Sequence, residues 1–340
     1  MVNPHTLVAG PAMIITHRLC PTTKDRLLPH TLQPGEPLAG DVLWIDLLNP
    51  TREEDQQVET LLGIAIPTHE DMDDIEPSEL IWSENGTRYM TTRLLVNVNT
   101  SEPDISAVTF ILTANVLVTV RYSEPKSFTT YTGHAVKAGG CGGSPEAIMA
   151  GLIDAIIDRA AEVLQETGER LDALSRGVFK DAVKQSNRNA TLQRTLQALG
   201  RHGDLVSKSR ESLVSIERVL LWFSAGLKAA KVPSELREEV KMTLRDLQSL
   251  EEHATFQSGK IQFLLDATLG LVNLEQNNII KLFSVMAVIF MPPTLVASIY
   301  GMNFEYMPEL KWAHGYPMAL ILMVVVAIAP YVLFRWKNWL

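Results

Sequence analysis

The chain has 340 residues, a net charge of −9 and two cysteines, Cys20 and Cys141. The acidic balance argues against nucleic-acid binding, because there is no strongly basic arm or domain to neutralise phosphates. The cysteines lie far apart and form no CxxC pair, which indicates a reducing cytosol rather than a disulfide framework.

The first 143 residues are predicted to form a cytoplasmic α/β domain with a small sheet and flanking helices. Thr51 and Glu54 have capping-box spacing and predict a helix that stops at Gly63. Short runs of β-branched and aromatic residues predict strands at 13–17, 42–48, 88–98, 108–112 and 116–121.

Residues 144–233 have a helical pattern and are predicted to form a helical hairpin. Ser144 followed by Pro145 marks a helix start, and we expect breaks near Gly177 and near Gly200–Gly203. Between Lys180 and Arg218 the chain has eight basic and four acidic residues. A solvated helix surface is the favoured interpretation of this basic stretch, and a face for an acidic partner is the alternative.

A long helix is predicted to begin at Ser234 and to meet no punctuating loop until Gly301. At about 65 residues it would be roughly 100 Å long. Its first part, 234–281, is a stalk whose apolar stripe must pack against neighbours, either the chain's own domain or identical copies.

Two runs without a charged residue, 282–300 and 316–334, are each close to the ~20 residues that cross a bilayer as a helix. The predicted fold class is therefore an α+β cytoplasmic domain, then a long stalk helix, then a two-helix transmembrane hairpin. Segment 301–315 is the extracytoplasmic loop, with Glu305 and Glu309, and segment 335–340 is a basic tail. The positive-inside rule places both ends in the cytoplasm, with a basic ring formed by Lys281, Arg335 and Lys337.

One face of the first span holds most of its polar groups. Steps of three and four residues give Asn277, Ile280, Ser284, Ala287, Met291, Thr294 and Ser298, and the adjacent Phe283 could share this face. Such a face either packs and hydrogen-bonds to other helices or lines a water-filled path shared by several copies. The other faces, with Phe290 and Leu295 among their residues, suit lipid or the second span. Pro292 and Pro293 are expected to loosen the helix.

The turn Tyr300-Gly301-Met302-Asn303, after Met291-Pro292-Pro293-Thr294 and before Met307-Pro308-Glu309-Leu310, closely resembles the CorA family of divalent-cation channels. The resemblance is strong over about the last 80 residues. It is weaker over the cytoplasmic domain, where Trp44-Ile45-Asp46-Leu47 and Val118-Thr119-Val120-Arg121 fit.

The resemblance implies a homopentamer in the inner membrane that takes up Mg²⁺ passively, and often Co²⁺ and Ni²⁺. Gly301, Met302 and Asn303 would form the selectivity filter, with Asn303 ringing the outer mouth. Met291 and Thr294 would line the pore, Asn277 would lie near its cytoplasmic end, and Ile280 and Phe283 would form a gate. Whether Phe283 or Ser284 faces the pore stays open.

The family also implies that intracellular Mg²⁺ bound between cytoplasmic subunits holds the channel shut. Candidate regulatory ligands are Asp71, Asp73, Asp74, Asp246 and Glu251, with solvated surface acids as the alternative. No cofactor is expected beyond Mg²⁺ as the transported and regulatory ion. Neither span holds an Asp or Glu, and Mg²⁺ dehydrates reluctantly, so we expect a hydrated ion.

Two rival hypotheses remain. A zinc transporter similar to ZntB would share the hairpin and the Gly-Met-Asn turn. A membrane-tethered scaffold or sensor would use the hairpin as an anchor only. An enzyme is not expected, because the sequence shows no nucleophile–base pair, no metal cluster and no phosphate-binding loop. Without a phosphate-binding loop, ATP-driven pumping is not expected either.

Overall fold

The structure is a computed structural model, and it describes residues 13–73, 80–100, 102–180, 188–229, 232–302, 305 and 307–337. The chain divides into two compact units. The first comprises Met1–Val183 and Thr195–Leu264, and the second comprises Lys184–Arg194 and Leu265–Leu340.

The first unit is built on a seven-stranded sheet with the order β2-β1-β3-β7-β6-β5-β4. Strands β3 and β7 are parallel, and the other neighbouring pairs are antiparallel. The strands are β1 (Met13–Leu19), β2 (Leu27–Thr31), β3 (Val42–Leu48), β4 (Ile81–Glu84), β5 (Thr87–Val96), β6 (Asp104–Leu112) and β7 (Leu117–Arg121).

Five of these strands confirm the predicted runs with small shifts at their ends. The two missed strands, β2 and β4, are the edges of the sheet. Strand β2 contains Pro29, which edge strands tolerate because one side of an edge needs no ladder hydrogen bond. Strand β4 has only four residues, too few for an alternating pattern to be recognised.

Short helices pack on both sides of this sheet. Helix α1 (Arg52–Leu62) has the predicted capping box between Thr51 and Glu54 and ends at Gly63, whose φ is 66°. Helix α2 (His69–Met72) also begins at a capping box. Val58 of α1 and Met72 of α2 belong to a buried core that includes Ile45, Leu47 and Val118 of the sheet. Helix α3 (Lys126–Ala135), which was not predicted, buries Phe128 and Tyr131.

Two long helices follow, α4 (Pro145–Lys180) and α5 (Arg188–Ala229). The start of α4 confirms the Ser144-Pro145 signal, and Ser144 Oγ accepts from Ala147 N at 3.2 Å. The predicted break at Gly200–Gly203 is wrong, because α5 runs through it, and α4 passes Gly177 and ends three residues later. A helical glycine costs about 1 kcal/mol, and buried neighbours such as Val178 and Leu199 offset that cost.

Helix α6 (Ser234–Tyr300) confirms the predicted long helix and continues through Pro292 and Pro293. Its part in the first unit packs on α4 and α5. Gln257 Nε2 donates to Leu164 O at 2.7 Å, Gln248 Nε2 donates to Glu217 at 3.2 Å, and Leu247, Ala254 and Leu264 are buried. The part of the stalk stripe in the first unit is therefore covered by the chain's own helices.

The second unit contains the end of α6, a 3₁₀ turn (Pro308–Lys311) and helix α7 (Gly315–Trp336). The apolar segments of α6 and α7 are long and apolar enough to cross a membrane, and their most apolar windows are exposed throughout. The fold class predicted from the sequence is confirmed.

Candidate ion path along a membrane helix

A continuous face of α6 carries all eight residues predicted to line a pore. Each of them is exposed in the single chain. At 3.6 residues per turn, the seven residues spaced by three and four from Asn277 to Ser298 fall within a face roughly 100° wide. A groove of about 430 Å³ follows its outer half, lined by Ala287, Phe290, Met291, Thr294, Leu295 and Ser298.

Two residues of that groove were assigned to other faces by the sequence. Phe290 and Leu295 flank Met291 and Thr294, and both side chains are more than half exposed. Apolar periodicity alone cannot separate a groove wall from a lipid-facing surface, because both are apolar.

Two hydroxyl groups on this face are oriented by the helix backbone. Ser284 Oγ donates to Ile280 O at 2.8 Å, and Thr294 Oγ1 donates to Phe290 O at 2.7 Å. Because each proton is used inside the helix, each oxygen offers its lone pairs outward as an acceptor. Waters bound to a cation are donors, so these acceptors match a hydrated cation without needing a carboxylate.

Phe283 is 64% exposed and Ser284 is also exposed. The structure of a single chain therefore does not show which of the two side chains faces the pore. Ile280, one turn earlier, is 61% exposed. Phe283 and Ile280 form an apolar segment of this face, whereas Asn277 is polar. The apolar segment therefore lies between the polar start of the face and the Met291–Thr294 region.

A tight turn ends α6 after Tyr300. Gly301 N donates to Ala297 O at 2.9 Å, and Met302 N donates to Ile299 O at 3.3 Å. A Cβ at position 301 would lie 3.1 Å from Ala297 O, so glycine lets the chain close onto the helix end. Asn303, the residue expected at the outer mouth, lies outside the described residues.

The loop after the turn is compact near α7. Gly315 approaches Glu309 so closely that a Cβ would lie 2.3 Å from Glu309 O. Glu305 is exposed and Glu309 is half-buried. At the other end of the apolar segments, Lys281 and Arg335 are exposed and Lys337 is the residue that caps α7.

The candidate regulatory acids near α2 have local partners. Asp71 accepts from Thr68 N at 2.8 Å and from Thr68 Oγ1 at 2.7 Å, completing the capping box of α2. Asp73 lies 3.2 Å from His69 Nδ1. Asp74 lies outside the described residues.

The acids on α6 occupy two different surroundings. Glu251 has a buried Oε1 without a hydrogen-bond partner in the described chain. Burial raises the pKa of Glu251, and the negative charge of Glu217 raises it further. Asp246 lies in a group of carboxylates around Asp154. Burial raises the pKa of Asp154 most, and the nearby carboxylates of Asp158, Glu239 and Asp246 raise it further. Among the described residues no three acidic, His or Cys side chains are arranged to hold a metal.

Comparison with known proteins places the chain in a family. Residues 39–336 match the family described as CorA-like Mg²⁺ transporter protein. The magnesium transport protein CorA of Yersinia pseudotuberculosis is 34% identical over 316 residues, which cover 93% of this chain and 97% of that protein.

Solved structures share the fold. The CorA magnesium transporter from Methanocaldococcus jannaschii superposes with a TM-score of 0.71 at 19% identity, covering 97% of this chain and 100% of that one. The cytoplasmic domain of ZntB from Vibrio parahaemolyticus gives a TM-score of 0.58 at 10% identity, covering 78% of this chain and 99% of that domain.

Proposed function

The chain belongs to the CorA-like Mg²⁺ transporter family, and from this premise we propose that it takes up hydrated Mg²⁺ passively along α6. The observation that carries the proposal is the polar face of α6. It runs from Asn277 to Ser298 through an apolar membrane helix and ends at the Gly301 turn.

The acceptors on this face determine the form of the ion. Mg²⁺ prefers near-octahedral oxygen coordination and gives up its waters reluctantly. Neither apolar run contains an Asp or Glu, so the ion keeps its waters, which donate to Thr294 Oγ1 and to the amide oxygen of Asn303. Co²⁺ and Ni²⁺ form hydrated ions of the same charge and are carried by the same path.

The path requires several copies of the chain. One helix face exposes its polar groups to lipid, whereas a ring of copies turns the same face onto a shared aqueous axis. We propose a homopentamer in the inner membrane with both termini in the cytoplasm. Gly301, Met302 and Asn303 form the filter, and Lys281, Arg335 and Lys337 form the cytoplasmic basic ring.

Closure is proposed to depend on intracellular Mg²⁺ bound between cytoplasmic subunits. Glu251 and Asp246 are the better placed candidates, since Glu251 has an unpaired oxygen in the described chain and Asp246 lies among like charges. Asp71 is already engaged in a helix cap. Ile280 and Phe283 supply the apolar constriction that such a signal closes.

Proteoliposomes loaded with a Mg²⁺-sensitive dye test the proposal directly. We expect Mg²⁺ influx through the wild type and a loss of at least about tenfold in Asn303→Ala, because one ring of amide acceptors disappears. The matched control is Leu282→Ala, which removes an exposed apolar side chain outside the polar face and leaves the influx within about twofold. A wild type that carries no Mg²⁺ would overturn the proposal.

The two rival functions give different results in the same vesicles. A zinc transporter would carry Zn²⁺ in preference to Mg²⁺ when both are measured side by side. A scaffold or sensor would show no cation influx at all, and Asn303→Ala would change nothing.

A further inference from the structure

A cavity in the first unit lies where β5 ends, beside the start of α3 and next to α4 and α5. Its volume is about 270 Å³, slightly below the roughly 300–1,000 Å³ of pockets that bind drug-sized molecules. Leu94 and Val96 of β5 and Ile156 and Val163 of α4 form an apolar wall, and all four are buried. The polar groups that line the cavity come from the three helices.

Helix α3 begins at this cavity without a cap. Pro125 precedes the helix, no side-chain hydrogen bond caps it, and its first turn contains no acidic residue. Phe128 N donates to Pro125 O at 3.0 Å, but the backbone N–H groups of Lys126 and Ser127 have no acceptor in the described chain. Free N–H groups at a helix start attract anions, because the helix dipole adds a partial positive charge there.

Two buried serines point to a ligand independently of the helix start. Ser127 of α3 is 4% exposed and Ser212 of α5 is 3% exposed, and both line the cavity. Neither hydroxyl has a hydrogen-bond partner within the described residues, and both oxygens remain accessible from the cavity. Ser209, one turn before Ser212, is equally buried but donates to Leu205 O at 2.7 Å. A buried hydroxyl without a partner is unfavourable, and a ligand oxygen that accepts from it removes the penalty.

The charges around the cavity favour an anion. Lys126 lines the cavity and forms no ion pair in the part of the chain that the structure describes. The Arg159 side chain is 16% exposed and pairs with Glu162 at 2.7 Å through Nη1. A guanidinium has five N–H groups, so Arg159 keeps donors for a ligand. Glu124 is the carboxylate among the lining residues, and two cations against one carboxylate leave one net positive charge.

We propose that this cavity binds a small organic anion, with its oxyanion head at the start of α3 and its carbon body on the apolar wall. The head accepts from the backbone N–H groups of Lys126 and Ser127 and from Ser127 Oγ, and the Lys126 ammonium balances its charge. Arg159 of α4 and Ser212 of α5 supply further donors. The volume suits a body of a few carbon atoms, carried by a phosphate ester or a carboxylate. The site is independent of Mg²⁺ transport.

Isothermal titration of the full chain in an uncharged detergent and a Mg²⁺-free buffer tests the site. The probes are butyl phosphate, butyrate, inorganic phosphate and butanol. We expect butyl phosphate or butyrate to bind once per chain, and the tighter of the two identifies the head group. Butyl phosphate should bind at least about tenfold more tightly than inorganic phosphate, because its butyl group buries apolar surface. Butanol has no charge for the start of α3 to attract and should not bind.

Paired variants locate the binding. We expect Ser127→Ala, Ser212→Ala and Lys126→Gln each to weaken the binding of the tighter probe by about tenfold, because each removes a donor or a charge facing the anion. The matched controls are Ser209→Ala, whose hydroxyl is satisfied within α5, and Lys137→Gln, an exposed lysine two residues beyond the end of α3. Both controls should change the Kd by less than about twofold. Without ligand, Ser127→Ala and Ser212→Ala should not lower the melting temperature, because the hydroxyls they remove have no partner.

The outcomes separate this site from the proposed function. Weaker binding in the cavity variants, with both controls unchanged, supports the site. Binding of neither butyl phosphate nor butyrate overturns it, and so does butanol that binds as tightly as the anions. An equal loss in cavity and control variants also overturns it, because the anion then binds elsewhere on the chain. A protein that binds the anion in this way but carries no Mg²⁺ keeps the site and loses the proposed function.

Discussion

A buried ion pair joins the two parallel strands in the middle of the sheet. Arg121 Nη2 lies 2.8 Å from Asp46 Oδ2, and Arg121 Nε lies 3.0 Å from Asp46 Oδ1. The Asp46 side chain is 2% exposed and the Arg121 side chain 8%. Removing one member of such a pair leaves the other charge buried and uncompensated, which costs about 3–5 kcal/mol. We therefore expect Asp46→Asn to lower the melting temperature of the detergent-solubilised protein strongly.

The matched control is an exposed pair on α4. Arg170 and Glu166 lie 3.8 Å apart with side chains 63% and 53% exposed. An exposed pair contributes less than about 1 kcal/mol, so Arg170→Met should barely shift the melting temperature. Equal shifts in Asp46→Asn and Arg170→Met would contradict the role given to the buried pair.

His17 gives the sheet a pH dependence of definite sign. Its ring stacks on Trp44 at 4.1 Å, its Nε2 has no hydrogen-bond partner in the described chain, and burial lowers its pKa from 6.5 to about 4. Nearby Asp46 opposes this shift and Arg121 adds to it. The unfolded chain therefore binds the proton first, and stability falls as the pH drops from about 6.5 to about 4, by about 3 kcal/mol in all.

The comparison of wild type with His17→Phe isolates this contribution from other titrating groups. Melting temperatures measured from pH 7 to pH 4.5 should decline further in the wild type than in the variant, because phenylalanine takes up no proton. Parallel pH curves would show that His17 is protonated in the folded protein or exposed in it.

The buried ion pair of Asp46 and the burial of His17 could not be predicted from the sequence. Asp46 and Arg121 lie in runs that correctly predicted β3 and β7, but they are 75 positions apart. Only the parallel pairing of those strands brings the charges together. Hydrophobic pattern determines which residues are in strands, whereas neighbours in a sheet are selected by the packing of the whole domain.

Among the helices, the local signals were the reliable ones. Thr51 with Glu54, Ser144 with Pro145, and Gly63 marked helix ends correctly, because caps act on backbone groups within a few residues. The glycines of α5 were misleading, since packing outweighs their propensity. Helix α3 was missed because its first turn follows Pro125 without a side-chain cap.

The polar face of α6 is predicted to show a helical period of accessibility from the aqueous path. Single cysteines at 280, 284, 287, 291, 294 and 298 should react with a water-soluble methanethiosulfonate and lower Mg²⁺ influx in proteoliposomes. Cysteines at 282, 285 and 289 should not, because these positions lie outside the face. Reaction at every position would contradict a single lining face.

The same scan resolves the choice between two neighbours. Phe283→Cys and Ser284→Cys differ by about 100° around α6, so the faster reaction identifies the side chain that faces water. Replacing Phe283 by a small residue also widens the apolar segment, which raises the basal influx if Phe283 belongs to the gate.

At the scale of the whole molecule, the proposed ion path needs several copies of the chain. The membrane hairpin and its turn followed from length, charge and motif, and the family assignment agrees with them. The assembly could not be predicted in the same way. Part of the stalk is covered by the chain's own helices, yet Phe256 and Phe263 remain 67% and 60% exposed. Such exposure outside the apolar runs is typical of an interaction surface, but apolar periodicity specifies neither the partner nor a number of copies.

The proposed uptake needs a driving force, which the membrane potential supplies to the whole molecule. The sequence contains no phosphate-binding loop of the GxxxxGK[ST] type, whereas two charges moving through the membrane gain ~4.6 kcal/mol per 100 mV. That energy corresponds to an accumulation of about 10³-fold. In proteoliposomes without ATP, a valinomycin potential that is negative inside should therefore accelerate Mg²⁺ influx and drive it beyond equal concentrations. Vesicles with Asn303→Ala at the same potential measure the leak, and influx that ignores the potential would contradict passive, voltage-driven transport.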